Sequence, residues 1–205
     1  MKLLRSQAGF TISEIVVVIA LSGFLMAIAA TGFSTFFAKF NELNKITELQ
    51  RDAFNCVQKI KNGIPIGTGS GMKFSGVATA DSVRFVGINS IPPSSQNIIL
   101  YPPKTSVEHS GDFVRIYYDG TYVRATYLNG TMQPASPLYL FPAPGRNNVT
   151  KVTNLRFTQA NDSREPTRVI TVLLEARVLL RKDIKSHKFI YKNVSYQTKM
   201  TIAMK

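Results

Sequence analysis

The sequence predicts an α+β fold in which one long N-terminal helix carries an antiparallel β-sheet head. Three observations predict it. From Ile15 to Ala38 no residue is charged, and an apolar run of 18 or more residues is long enough to cross a bilayer as a helix. Apolar residues then recur every three or four positions, at Phe36, Phe40, Leu43, Ile46, Leu49, Ala53, Val57, Ile60 and Ile64, with no proline before Pro65. Beyond Val83 the pattern changes to short runs and period-two alternations broken by Gly, Pro and Asn, which is strand chemistry.

The chain opens on a basic leader, Met1 to Gly9, that contains Lys2, Arg5 and no acid. Phe10-Thr11-Ile12-Ser13-Glu14 follows, and Glu14 is the anomaly: a carboxylate at the edge of a membrane span costs several kcal/mol unless something pairs with it. The positive leader holds the N-terminus in the cytoplasm and sends the larger C-terminal part across the membrane.

Gly9-Phe10-Thr11-Ile12-Ser13-Glu14 and the run Ile15-Val16-Val17-Val18-Ile19-Ala20-Leu21 closely resemble the type III signal sequence of type IV pilins and type II secretion pseudopilins. The resemblance implies cleavage by a prepilin peptidase between Gly9 and Phe10, methylation of the new amino terminus, and Glu14 as the fifth mature residue. It also implies a partner for Glu14, the amino-terminal cation of a neighbouring subunit, in a pair that fixes register. Two other readings fit the same stretch: an ordinary secretory signal cut after Ala29, and an uncleaved signal anchor.

The helix is expected from about Thr11 to Lys61, on the order of 75 Å at 1.5 Å per residue. Its first half lies in the membrane and its second half packs on the head. Asn41, Glu42, Lys45, Glu48, Gln50, Arg51, Asp52, Lys59 and Lys61 form the solvated side, and Cys56 sits beside the apolar stripe as a small core residue. Gly23 and Gly32 are soft points, while many pilins instead have a proline near the position of Thr31. The domains expected are the leader 1–9, the membrane and filament-core helix 10–38, the amphipathic helix 39–62 and the head 63–205.

Asn62-Gly63-Ile64-Pro65 starts an exposed connection that runs to Gly71. Its glycines are not a phosphate loop, since no strand precedes them and no Lys-Ser or Lys-Thr ends them. Strands are expected at Val83–Ile88 and Asn97–Tyr101. Phe113–Tyr118 and Tyr122–Leu128 form a hairpin turning at Asp119-Gly120, with a further reversal at Asn129-Gly130. Pro134–Asn148 reads as an irregular loop carrying Tyr139 and Phe141. Val152–Thr158, Val169–Leu180 and Phe189–Met204 complete the head, the last alternating from Val194 onward as a half-buried strand does. This order also resembles J-type minor pseudopilins and W-type minor pilins, whose heads sit at or near a filament tip and prime assembly.

With 25 basic and 12 acidic residues the net charge is +13, and loss of Lys2 and Arg5 leaves +11 on the mature side chains. Such a surface attracts nucleic acid, anionic lipid, an acidic envelope polymer or an acidic subunit. The single cysteine cannot form an intrachain disulfide, unlike the bridge near the C-terminus of many pilins. No metal site, cofactor or enzyme is expected. His109 and His187 are surface histidines without metal-ligand spacing, and Gly69-Ser70-Gly71 lacks the spacing of a nucleophile elbow. Asn129, Asn148, Asn161 and Asn193 are chance glycosylation triplets. Arg115, Tyr117, Tyr122, Arg124 and Tyr127 interleave cations and aromatics on the hairpin, as a nucleic-acid grip does, although aromatics are also ordinary strand formers.

The function expected is a non-enzymatic minor pilin or pseudopilin, a tip or assembly-priming subunit. It would sit in the bacterial inner membrane with its head outside the cytoplasm, and later in an envelope filament. Its expected partners are other pilin or pseudopilin subunits, the prepilin peptidase and the inner-membrane assembly platform. The alternatives are a basic DNA-binding minor pilin of a DNA-uptake pilus and a membrane-anchored envelope binding protein.

Overall fold

One helix, α1 (Ile12–Asn62), runs through the whole N-terminal segment. The computed structural model describes residues 11–65, 73–87, 94–103, 113–128, 137–159, 169–183 and 186–202. The expected signals at Gly67–Gly71, His109, Asn129-Gly130 and Asn161 lie outside them. The chain divides into two units, Met1–Asn44 and Lys45–Lys205, with the boundary inside α1.

In the first unit the apolar side chains are exposed, Ile19 and Leu25 among them. Its hydroxyls are satisfied locally: Thr31 donates to the Ala27 and Ile28 carbonyls and Thr35 to Thr31, the back-bonding that lets Thr sit in a helix with no outside partner. Phe36 stacks on Phe40 with ring centroids 6.3 Å apart.

In the second unit α1 buries Leu49, Ala53, Cys56, Val57 and Ile60, the i, i+3, i+4 face that the sequence pattern supplies. The stripe is shorter than its periodicity suggests, because Phe36, Phe40 and Leu43 are exposed and burial begins at Ile46 and Leu49. Gly63, at φ 98°, ends the helix, and its N–H donates to the Lys59 carbonyl at 3.0 Å, an αL cap that glycine adopts without a Cβ penalty. Val77 and Ala78 donate to the Ile60 and Lys61 carbonyls, each at 2.9 Å, so the helix end is sealed by residues that follow it. The segment after the helix therefore departs from the exposed connection expected: Gly63 and Ile64 are buried, and β1 (Ile64–Pro65) pairs with β2 (Lys73–Phe74).

Two larger antiparallel sheets make the rest. One has five strands in the order β3 (Ser82–Phe85), β5 (Asn97–Tyr101), β6 (Phe113–Tyr118), β7 (Val123–Leu128), β8 (Leu138–Phe141). The other has four, β11 (Phe189–Thr201), β10 (Val169–Lys182), β9 (Thr150–Gln159), β4 (Ser94–Ser95). Each strand sends alternate residues inward. Ile98, Leu100, Val114, Ile116, Val123 and Ala125 come from the first sheet, and Leu155, Phe157, Ile170, Val172, Leu174 and Met200 from the second, into one core that includes the buried face of α1.

Two expectations are corrected here. The proline-rich segment is not wholly irregular, because Leu138–Phe141 pairs with β7 and buries Leu140 and Phe141. The hairpin turns one residue later than Asp119-Gly120: Asp119 N–H donates to the Tyr122 carbonyl, leaving Gly120-Thr121 at the tip. Asp119 sits opposite Tyr122 because its carboxylate accepts from the N–H groups of Thr121 and Tyr122 at 2.8 and 2.6 Å, an Asx-type turn that a dipeptide rule does not see.

Candidate functional site

The hairpin residues that the sequence singles out come together on the outward face of the five-stranded sheet. Register places Asn97, Tyr117, Arg124 and Tyr139 in one row across four strands, and Arg84, Ile99, Arg115 and Thr126 in the next. The Arg124 guanidinium lies over Tyr139 at 4.7 Å and over Tyr122 at 5.4 Å, and these two rings meet edge to face at 4.9 Å. Arg124 also ion-pairs through Nε with Asp119 Oδ2 at 2.5 Å. Arg115 lies 5.1 Å over Tyr117 and donates from Nε to Asn97 Oδ1 at 3.1 Å. Tyr127 does not join them. Its position on the strand points inward, where it stacks on Phe74 at 4.9 Å.

Much of this face is satisfied internally. Cation–aromatic contacts worth roughly 0.5–2 kcal/mol each already occupy the flat faces of Arg115 and Arg124. What remains for a ligand is their outer N–H edges, together with Arg84 and the exposed ring of Tyr139. Reading the hairpin alone misses Arg84 and Tyr139. Arg84 has a signal, the alternation of β3, whereas Tyr139 lies in a proline-rich stretch that gives none.

At the other end of the chain, Thr11 and Glu14 bracket the first turn of α1. Thr11 N–H and Oγ1 both donate to Glu14 Oε2, at 2.8 and 3.0 Å, and Glu14 N–H returns to Thr11 Oγ1 at 3.3 Å. This is a capping box, Thr at the N-cap and Glu three residues on, and it satisfies helix-end donors reciprocally. Its signal is present in the sequence as Thr-x-x-Glu. Gly9 and Phe10 lie outside the described residues. Among those residues α1 is the one helix long and apolar enough to cross a membrane, with a mean hydropathy of 2.4 over its best window and none of that window buried.

Residues 4–30 match the prokaryotic N-terminal methylation motif. The chain is type IV pilin-like or pseudopilin-like. No curated protein and no solved structure matches it. Its apolar N-terminal helix, with this motif at its start, anchors the pilin-like chain in a membrane.

Two further groups in the pilin-like head are chemically quiet. Cys56 is fully buried on α1, and desolvation pushes its thiol up to about 12, so the thiolate needed for redox chemistry does not form near neutral pH. Burial and the adjacent Asp119 push the Tyr118 phenol up. It stays protonated and shares its O–H between the carbonyls of Gly120 and Val152, tying the hairpin tip to β9.

Proposed function

We propose that this pilin-like chain is a minor pilin or pseudopilin, a non-enzymatic subunit at the tip of an envelope filament or in the complex that primes it. The observation that carries the reading is Glu14 at the third helical position, heading an uncharged span. In the single chain Thr11 occupies its carboxylate. In the filament the amino terminus of a neighbouring subunit, Phe10 after cleavage at Gly9, replaces Thr11 as partner and sets register. Prepilin peptidase is the processing enzyme, the inner-membrane assembly platform receives the product, and the head lies outside the cytoplasm.

Intact mass and N-terminal sequence of the membrane-extracted protein from its native host test the pathway. A chain beginning at N-methylated Phe10 supports it; a start at Ala30 or an uncut Met1 overturns it. Glu14→Ala then tests register. Co-purification with other subunits at the wild-type level removes that role from Glu14.

A second reading, a DNA-binding subunit of an uptake pilus, is favoured by one observation: Arg115, Tyr117, Tyr122 and Arg124 share a single sheet face with Tyr139 and Arg84. Arg115→Gln with Arg124→Gln should lower DNA retention and its salt sensitivity. Unchanged retention rejects this reading.

A further inference from the structure

The segment Ser94–Tyr101 belongs to both large sheets. Ser94 and Ser95 pair with β9, and from Asn97 onward the same strand pairs with β6 and β3. The switch happens at Gln96, where Ser95 Oγ accepts from the Asn97 N–H at 3.0 Å and shares its one proton between the Val86 and Asn97 carbonyls. Changing sheets opens a cavity of about 500 Å³, lined in part by Ser94, Gln96, Asn97 and Arg156. Arg156 is exposed and makes no hydrogen bond or ion pair among the described residues. A guanidinium with no partner among the described residues, beside hydroxyl and amide groups in a concave site, is the chemistry that takes one oxyanion, with two parallel N–H donors to its oxygens.

The face next to this cavity continues the same sign. Lys151, Arg156, Arg177 and Lys199 all occupy outward positions of the four-stranded sheet, where Glu175 is the one acid among the described residues. Arg177 lies over Tyr191 at 4.7 Å and its Nε is buried without a hydrogen-bond partner. Lys182 lies 5.9 Å from the ring centroid of Phe189, and that ring is 55% exposed. Arg156 stands opposite Leu173 and so is separated from Arg177 by four residues of β10, about 14 Å at ~3.4 Å per residue. A small ion cannot reach both. Exposed rings beside cations add base stacking, which tolerates any sequence.

We propose that the cavity at the Gln96 crossover seats one phosphate of a single-stranded nucleic acid on Arg156, and that the strand runs on over Arg177 toward Tyr191 and Phe189. The site lies on the opposite sheet from the hairpin and needs neither Arg115 nor Arg124.

The test uses the full chain in neutral detergent micelles and a fluorescent oligothymidylate of about 20 nucleotides, with anisotropy read between about 50 and 200 mM salt. Arg156→Gln should weaken binding about tenfold at the lower salt and reduce the log–log salt slope by about one. Tyr191→Ala should weaken it several-fold with the slope retained. Arg51→Gln, an equal loss of charge on exposed α1, should change it less than about twofold. Equal effects of Arg156→Gln and Arg51→Gln overturn the proposal in favour of diffuse charge attraction. Loss on Arg115→Gln with Arg124→Gln but not on Arg156→Gln overturns it in favour of the hairpin face. Polygalacturonate displacing the oligonucleotide as well as polyphosphate of equal charge overturns the phosphate chemistry, and absence of binding at the lower salt overturns the site altogether.

Discussion

Gly63 and Gly76 lie backbone to backbone, and neither has room for a Cβ. One added at Gly76 would strike the Gly63 nitrogen and stand 2.5 Å from the Lys61 carbonyl oxygen; one at Gly63 would strike the Phe74 carbonyl oxygen. This contact brings Val77 and Ala78 onto the last helix carbonyls. Gly76→Ala should therefore destabilise the head by at least about 2 kcal/mol, because the neighbours are backbone and cannot turn aside. Gly23→Ala, where nothing lies within 4 Å of the added carbon, should leave the denaturant midpoint of the head unchanged. Equal midpoints for the two variants would contradict the packing described.

The capping box predicts a local effect. Thr11→Ala removes both the hydroxyl that accepts from Glu14 N–H and one donor to Glu14 Oε2, at a cost of about 1 kcal/mol to the first turn. Amide exchange at Glu14 and Ile15, whose N–H groups bond to Thr11, should speed up about fivefold, since that energy corresponds to roughly this factor. Exchange beyond Val18 should not change.

Cys56 gives a pH prediction. Its thiol is pushed up to about 12 in the folded head and titrates near its ordinary value when unfolded. In between, the folded state binds more protons, so stability falls as pH rises. The contribution is complete below about pH 8.5 and declines by on the order of 1 kcal/mol per pH unit above it. Urea midpoints measured at pH 8 and pH 10 should differ more for wild type than for Cys56→Ala. A thiol reagent at neutral pH should label the protein only after unfolding.

Two cations on or near α1 should behave differently. Arg146 pairs with Glu48 at 3.2 Å, but both side chains are about half exposed, and such a pair contributes at most about 1 kcal/mol. Lys45 donates to the Leu180 carbonyl at 2.8 Å in a partly buried setting. Lys45→Met should cost about 1–2 kcal/mol, while Arg146→Gln should change thermal stability little. The reverse ranking would mean that the Leu180 carbonyl finds water in the variant.

The helix and the long strands are legible in the sequence because their patterns repeat many times. Leu49 to Ile60 gives about three turns of one face, burial in β10 alternates from Val169 to Val178, and burial in β11 alternates from Val194 to Thr201. β8 is not legible, since a four-residue strand among prolines carries too few alternations, and its pairing partner is set by the hairpin before it. The hairpin face is readable from parity for Arg115, Tyr117 and Arg124. Tyr127 has the opposite parity to Arg124 and goes to the core. The Gln96 cavity has no sequence signal, because it is made by one strand changing sheets. Glu14 draws attention as a misplaced charge, and that emphasis hides its simpler local role with Thr11.

The crossover at Gln96 has a mechanical meaning. Because one unbroken length of chain is laced into both sheets, a pull on either is transmitted to the other through covalent bonds and the ladders on both sides. Parting the two sheets at this seam would mean breaking the Ser94–Thr158 and Ser95–Phe157 pairs. The same break would unmake one wall of the cavity, so the joint between the sheets and the shape of that concave site stand or fall together.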